Sequence, residues 1–370
     1  MSNNILLGIT GSVAASKSQN LYENLVKDHS IKVISTEGGS RYLTKEFMNK
    51  DCVFSSWDDV PGSPHIELAR WADKFIIYPA TANFISKMAM GIADDLLLST
   101  VLMYKKPIYI SPAMHEEMYL NPIIQKNLNT LSENNIICGP RFGKLDIGDT
   151  GHGRMIEPDE LIKILFNKKE KIVVTSGGTQ EKIDSVRTIS NSSSGKQGRA
   201  IGIELLARGY DVTYIHASNT QAIPHAKNVS FTTSENLHTI LLDELKDASY
   251  LYMAAAVSDF IPDFNDTKLN RKDGPLNITL NPNIDIVKNV IESYPQLISI
   301  AFSAQLDDEL SFQKLKDKHV NFLVINNVKE NQIGSDYNKV SIINSEKLLV
   351  ASDKVSKNQI ASLIIDNTIT

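Results

Sequence analysis

Asn4-Ile5-Leu6-Leu7-Gly8-Ile9-Thr10-Gly11-Ser12-Val13-Ala14-Ala15 decides the fold of the first half: a β-rich run ends in a glycine-containing turn and leads into a helix reaching about Lys27. Strand, tight turn and helix make the opening of a parallel βαβ unit. Working outward, strand-length runs recur at residues 31–35, 74–78, 107–110 and 136–138. Helical patterns fill the gaps, over 84–103, 122–133 and 157–166. The polar run Asn167-Lys168-Lys169-Glu170 then interrupts the alternation.

A second cycle starts at 171–175 and leads through a Gly/Ser-rich loop into a helix over 198–208, with Gly209 as its C-cap. Strands are expected at 211–216, 250–255, 297–302 and 322–326. Runs 340–344 and 348–351 flank Ser345-Glu346-Lys347 as an antiparallel hairpin. The reading is α/β: two Rossmann-like or flavodoxin-like doubly wound parallel-sheet domains in tandem, 1–168 and 169–370, the second with a C-terminal hairpin.

Composition bounds the function. The 370 residues are 42% apolar and 22% charged, enough for two cores. A net charge of −5 argues against a nucleic-acid partner, which a basic surface would meet. Apolar runs near Phe75 and Ile108 are only strand-length, so no membrane span is expected. Met1-Ser2-Asn3-Asn4 carries no basic n-region, and two cysteines, Cys52 and Cys138, are too few for a disulfide framework. A cytoplasmic location is the expectation.

The turn at Gly11 and Ser12 can present backbone N–H groups to a phosphate, although such turns also serve plain strand-to-helix packing. It lacks the third glycine of the dinucleotide fingerprint. Three further segments sharpen the reading: His65-Ile66-Glu67-Leu68-Ala69-Arg70-Trp71-Ala72-Asp73, Pro79-Ala80-Thr81-Ala82-Asn83, and Ser111-Pro112-Ala113-Met114 with Met118-Tyr119. The last two lie past the carboxyl ends of expected strands, where open α/β sheets bind ligands. Alone, His65 reads as an exposed loop histidine; in this setting its titration near neutral pH suits a base.

This set, in this order, resembles the flavin-dependent cysteine decarboxylases over residues 4–165. The resemblance implies FMN, with its phosphate at Gly11, Ser12 and Thr36 and its ring against Thr81, Ala82, Asn83 and Ala113. It implies His65 as the catalytic base toward a substrate thiol, and His115 and Met118 as substrate-binding. The implied chemistry passes hydride to the flavin, loses CO2, and returns hydride with a proton. The family's proton-donor cysteine has no match in Lys144-Leu145-Asp146-Ile147-Gly148-Asp149, where isoleucine stands in its place. Asp146, His152 or water are the substitutes at hand. Otherwise the domain stops at an oxidised product, or serves as an FMN-binding or oligomerisation scaffold.

Thr175-Ser176-Gly177-Gly178-Thr179-Gln180-Glu181-Lys182-Ile183-Asp184-Ser185-Val186-Arg187, continuing to Ile189-Ser190-Asn191-Ser192-Ser193-Ser194-Gly195-Lys196, is a small-residue loop with hydroxyls and basic side chains. Such a loop can wrap phosphates, and it is not a Walker A motif, since Gln197 follows the Gly-Lys pair. The string closely resembles the phosphopantothenoylcysteine synthetase domain. So do Met253-Ala254-Ala255-Ala256-Val257-Ser258-Asp259-Phe260, Lys268-Leu269-Asn270-Arg271, Asn281-Pro282-Asn283-Ile284 and Ala301-Phe302-Ser303-Ala304. Lys314 and Lys318, four apart on one helix face, complete it.

The resemblance implies activation of the 4′-phosphopantothenate carboxylate by CTP, with Mg2+, as an acyl cytidylate that cysteine then attacks. Asn191, Arg187 and Lys268 are implied as catalytic. Met253, Ala254, Ala255, Asp259, Lys268, Pro282, Asn283, Ile284, Asp285, Phe302, Lys314 and Lys318 are implied as nucleotide-binding. The metal ligands stay unassigned. Lysines four apart are otherwise an ordinary solvated helix face. Together the halves imply a bifunctional enzyme of coenzyme A biosynthesis acting on small molecules, and a homo-oligomer of flavin-domain trimers and ligase-domain dimers.

Overall fold

The computed structural model divides into two compact units, Met1–Lys168 with Ala207–Gly209 and Lys169–Leu206 with Tyr210–Thr370. It describes every residue except 1, 60, 61, 145–147, 167–169, 271, 273, 306–309, 328, 330–333 and 370.

In the first unit, β1 (Asn4–Ile9), β2 (Ser30–Ser35), β3 (Val53–Phe54), β4 (Lys74–Ala80), β5 (Ile108–Pro112) and β6 (Ile136–Ile137) form one sheet. Its order is β3-β2-β1-β4-β5-β6, every neighbour parallel. The strands are apolar on both faces, so each face must be covered. Ile5, Leu7 and Ile9 pack with Leu21 and Leu25 of the helix Lys17–Leu25 and with Leu161 and Ile164 of Pro158–Phe166. Leu6, Phe75 and Ile77 point the other way, onto Phe84, Ile85, Leu97 and Leu128. Each such fully buried aliphatic contributes roughly 1.5–3 kcal/mol.

One expectation is corrected here. The helix read over 84–103 is two, Ala82–Ala89 and Leu96–Met103. Gly91 takes φ +69° after the first, and the Asp95 carboxylate caps the second by accepting from Leu98 N at 2.7 Å. The apolar period runs through the break and hid it, although glycine and an acidic cap are ordinary stop and start signals. An antiparallel hairpin, Arg141–Lys144 with Thr150–Arg154, follows the sheet and had no clear sequence signal.

The second unit repeats the permutation. Its strands are β7 (Lys171–Ser176), β8 (Asp211–Ala217), β9 (Lys227–Phe231), β10 (Tyr250–Met253), β11 (Ile298–Gln305), β12 (Phe322–Asn327), β13 (Val340–Asn344) and β14 (Leu348–Ala351). They lie in the order β9-β8-β7-β10-β11-β12-β13-β14, parallel as far as β12. The expected hairpin is β13–β14, added antiparallel to β12. One face carries the helices Ser234–Glu244, Ile286–Ser293 and Phe312–Asp317 through Leu237, Val290 and Leu315. The other carries Lys196–Ala207 and Lys357–Thr368 through Ile201, Leu205, Ile360 and Ile364. The lone edge strand β9 and the short hairpin Phe260–Pro262 with Leu280–Pro282 escaped the sequence reading.

Candidate functional site

In the first unit the segments after β1, β2, β4 and β5 leave the same edge of the sheet, and the order reverses direction between β1 and β4. That crevice is where doubly wound sheets take ligands. Thr10 ties its two sides: Oγ1 donates to Pro79 O at 2.9 Å and accepts from Thr81 N at 3.0 Å. Ser12 Oγ accepts from Ala14 N, and Thr36 Oγ1 accepts from Gly39 N at 3.1 Å. Thr81 caps its helix through Phe84 N. Ala82 and Ala113 are buried, whereas Asn83 is exposed. A Cβ on Gly11 would stand 2.9 Å from the backbone of Gly38. The two loops therefore touch through glycine backbone alone, a cradle of the kind a phosphate group needs, and the residues present fit one.

His65 follows Pro64 at the start of the helix Pro64–Trp71. Its ring meets Trp57 edge-on at 5.2 Å, and its buried Nδ1 has no hydrogen-bond partner among the described residues. His115 precedes the turn Glu116–Tyr119 and is ion-paired with Glu117 and, at 3.3 Å, with Asp149. Glu117 first and then Asp149 push the imidazole pKa up, against some burial. Glu116 Oε1 accepts from His152 N at 2.7 Å, and Met114 N donates to Gly153 O at 3.2 Å. The hairpin thus lies over the segment after β5. Gly153 at φ +136° permits this, since a Cβ there would meet Met114 O at 2.1 Å. Met118 is exposed. Asp146 and Ile147 lie outside the described residues.

In the second unit a cavity of about 800 Å3 opens at the carboxyl edge of the sheet. It gathers Asn191, Met253, Ala254, Ala255, Asp259, Asn283, Ile284, Asp285, Phe302, Lys314 and Lys318 from separate stretches of sequence. Asn191 Nδ2 donates to Ala256 O at 3.3 Å and Val257 O at 3.1 Å, which fixes the segment after β10. Asn283 Nδ2 donates to Ser258 O at 2.8 Å. Lys318 pairs with Asp285 at 2.9 Å. Burial pushes the Asp285 carboxyl up, yet Lys318 and the N–H of Lys288 outweigh it and hold its pKa low. Three expected residues, Arg187, Lys268 and Pro282, are not among the lining residues. Lys196, Tyr337, Asn338 and Lys357 line the cavity without having been assigned a role.

Arg187 and Lys268 are instead joined through a residue that sequence reading passed over. Asp184 is 1% exposed. It accepts from Val186 N at 2.8 Å, Arg187 N at 2.6 Å and Leu269 N at 3.1 Å, and it pairs with the Arg187 guanidinium. Burial raises its pKa, but these donors overcome it and hold the carboxyl at about 2. An unfolded aspartate titrates near 3.9, so this bond stabilises the fold fully above about pH 4 and is lost as pH falls through about 2. Asp184→Asn is expected to lower the urea midpoint at pH 7, with the gap from the parent chain narrowing between about pH 4 and 2. Equal midpoints at pH 7 would show that the carboxylate holds nothing.

With this geometry in view, the comparisons with known proteins are specific. The flavoprotein family matches residues 1–170, and the DNA/pantothenate metabolism flavoprotein C-terminal domain matches residues 167–370. The coenzyme A biosynthesis bifunctional protein CoaBC of Mycobacterium tuberculosis is 33% identical over 401 aligned residues, 99% of this chain and 96% of that protein. A cysteine/cysteine sulfinic acid decarboxylase from an unknown prokaryotic organism is 34% identical over 336 residues, 85% of this chain and 93% of that protein. Among solved structures, the FMN binding protein AtHal3 is 29% identical, covering 45% of this chain and 97% of that one at a TM-score of 0.40. Two family matches in tandem and full-length identity above 30% lead to one conclusion: the chain belongs to the family of bifunctional coenzyme A biosynthesis proteins.

Proposed function

We propose that the second unit joins 4′-phosphopantothenate to cysteine at the expense of CTP, and that the first decarboxylates the product to 4′-phosphopantetheine with FMN. The observation that carries the reading is the cavity at the edge of the second sheet, where segments distant in sequence bring lysines, amides and small residues together. A carboxylate is a poor electrophile because oxide would have to leave. Attack of its oxygen on the α-phosphorus of CTP expels pyrophosphate and leaves an acyl cytidylate; cysteine's amine then displaces CMP. Lys314 and Lys318 face the triphosphate charge, and Mg2+ enters with the phosphates, as that ion commonly does. Asn191 holds the Ala256–Val257 backbone against the reacting acyl group. Asp259 and Phe302 flank the nucleoside. Lys268, exposed and not among the residues that line the cavity, belongs to the segment whose Leu269 N is held by Asp184, the carboxylate that also pairs with Arg187.

In the first unit, FMN supplies hydride acceptance and return when bound, with Gly11, Ser12 and Thr36 at its phosphate and Thr81, Ala82, Asn83 and Ala113 beside its ring. His65 takes the thiol proton at its unpartnered ring nitrogen. His115, whose pKa Glu117 and then Asp149 push up, takes over substrate contact on the side where the hairpin lies. A homo-oligomer with flavin-domain trimers and ligase-domain dimers belongs to the same reading, and sedimentation of the purified chain tests it.

The experiment supplies the purified protein with 4′-phosphopantothenate, cysteine, CTP and Mg2+. Pyrophosphate, CO2 and 4′-phosphopantetheine are expected, from a preparation with a flavin absorption spectrum. No pyrophosphate would overturn the ligase reading. Phosphopantothenoylcysteine accumulating without CO2 would overturn the decarboxylase reading, and free cysteine serves as the competing decarboxylation substrate.

A further inference from the structure

Lys314 and Lys318 approach the cavity from the helix Phe312–Asp317 and its C-cap, on the face of the sheet where Leu315 is buried. Lys196 and Lys357 approach from the opposite face, at the first residues of the two helices that bury Ile201 and Ile360 there. The cavity therefore has cations on both sides of the sheet edge. The second pair is held firmly. Lys196 Nζ donates to Gly334 O at 2.9 Å and Asp336 Oδ1 at 2.6 Å. Lys357 N donates to Asp336 O at 2.9 Å, while Lys357 O accepts from Gln197 Nε2 at 3.2 Å. Ser356 and Gln359 close a capping box around the same turn.

The charges do not balance. Asp336 is taken by Lys196, and the Lys357 ammonium makes no ion pair with a described residue. Burial and then the neighbouring Lys196 push the Lys357 pKa down, with Asp336 opposing. Two ammonium groups crowded at a cavity wall against one carboxylate leave a position that an anion relieves. Beside them Gln197 lines the cavity wall, its Nε2 donating to Lys357 O, and its buried Oε1 has no hydrogen-bond partner among the described residues. A ligand that satisfies the two ammonium groups carries a phosphate.

We propose that Lys357, with Lys196 and Gln197, forms a phosphate-ester subsite on the side of the cavity opposite Lys314 and Lys318. This rests on the ligase reading above, in which both the acid and the nucleotide are phosphate esters. Lys357 is then a binding residue that neutralises one of these phosphates and leaves the other to the opposite pair.

Titration calorimetry on the full-length protein separates the sources, with 4′-phosphopantothenate, CTP, pyrophosphate and cytidine as probes. Lys357→Gln should weaken one phosphate-bearing probe about tenfold or more, the scale of a lost charge-assisted contact, and leave cytidine within twofold. Lys357→Arg should restore most of the loss. Weakening confined to the acid places its phosphate here; weakening of CTP and pyrophosphate places the polyphosphate here. If every probe stays within twofold in a variant that melts with its parent, the subsite does not exist. Should the variant not fold, acetylation of Lys357 in the parent chain, read by mass spectrometry, serves instead: protection by one phosphate probe is expected, and no protection by any rejects the proposal. A parent protein that releases no pyrophosphate from CTP and the acid fails at the ligase reading, a separate result.

Discussion

His65→Asn is expected to cut CO2 release by about 10²–10⁴-fold, the range lost with a general base, while pyrophosphate release from CTP is unchanged. Asparagine places an amide near the position of Nδ1 and keeps some of the packing on Trp57, which meets the ring at 5.2 Å. It cannot take a proton. The parent imidazole has a buried nitrogen that gives up no hydrogen bond to a described residue before accepting one from a thiol. Fed purified phosphopantothenoylcysteine, the variant should bind it and return it unchanged. If ligation falls in parallel, the two activities are not divided between the two units as proposed.

The second large effect falls on the ligase. Asn191→Asp replaces a donor that serves two carbonyls, Ala256 O and Val257 O, with a carboxylate facing both. Like-signed dipole and charge repel, and the new anion also meets incoming phosphate. A loss on the order of 10²-fold or more in pyrophosphate release is expected, comparable with removing one preorganised donor at a developing charge. Decarboxylation of supplied intermediate should be untouched. Asn191→Ser, which keeps a short donor without adding charge, should lie between the two. A full rate from the aspartate variant would mean that this amide plays no part in the reaction.

Much of the architecture was legible because two-sided apolar strands have a simple signature. β1 was read to the residue, and β13 and β14 likewise, since Ser345-Glu346-Lys347 leaves little alternative to a turn. The break between Ala82–Ala89 and Leu96–Met103 was not read, because apolar spacing carried across it. Short hairpins such as Arg141–Lys144 with Thr150–Arg154 depend on contacts far away in sequence, here Glu116 with the backbone of His152. The cavity residues were legible as motif segments, and the sheet brings most of them to one edge. Asp184 was visible only as part of a quoted string, for nothing local says that a carboxylate two residues after Lys182 will receive Leu269 N. Lys357 gave no signal, because Asp336, whose backbone carbonyl receives Lys357 N, and Lys196 are set beside it by topology alone.

The antiparallel return of β13 and β14 has a biosynthetic consequence. Tyr337, Asn338, Val340 and Lys357 form part of the cavity wall, so the pocket lacks that wall until these segments, which follow the rest of the lining in the chain, have emerged from the ribosome. A nascent chain paused before that point has no finished cavity, and its sheet ends at a raw edge along β12. Nicking between β12 and Lys357 should therefore silence ligation long before it unsettles the first unit.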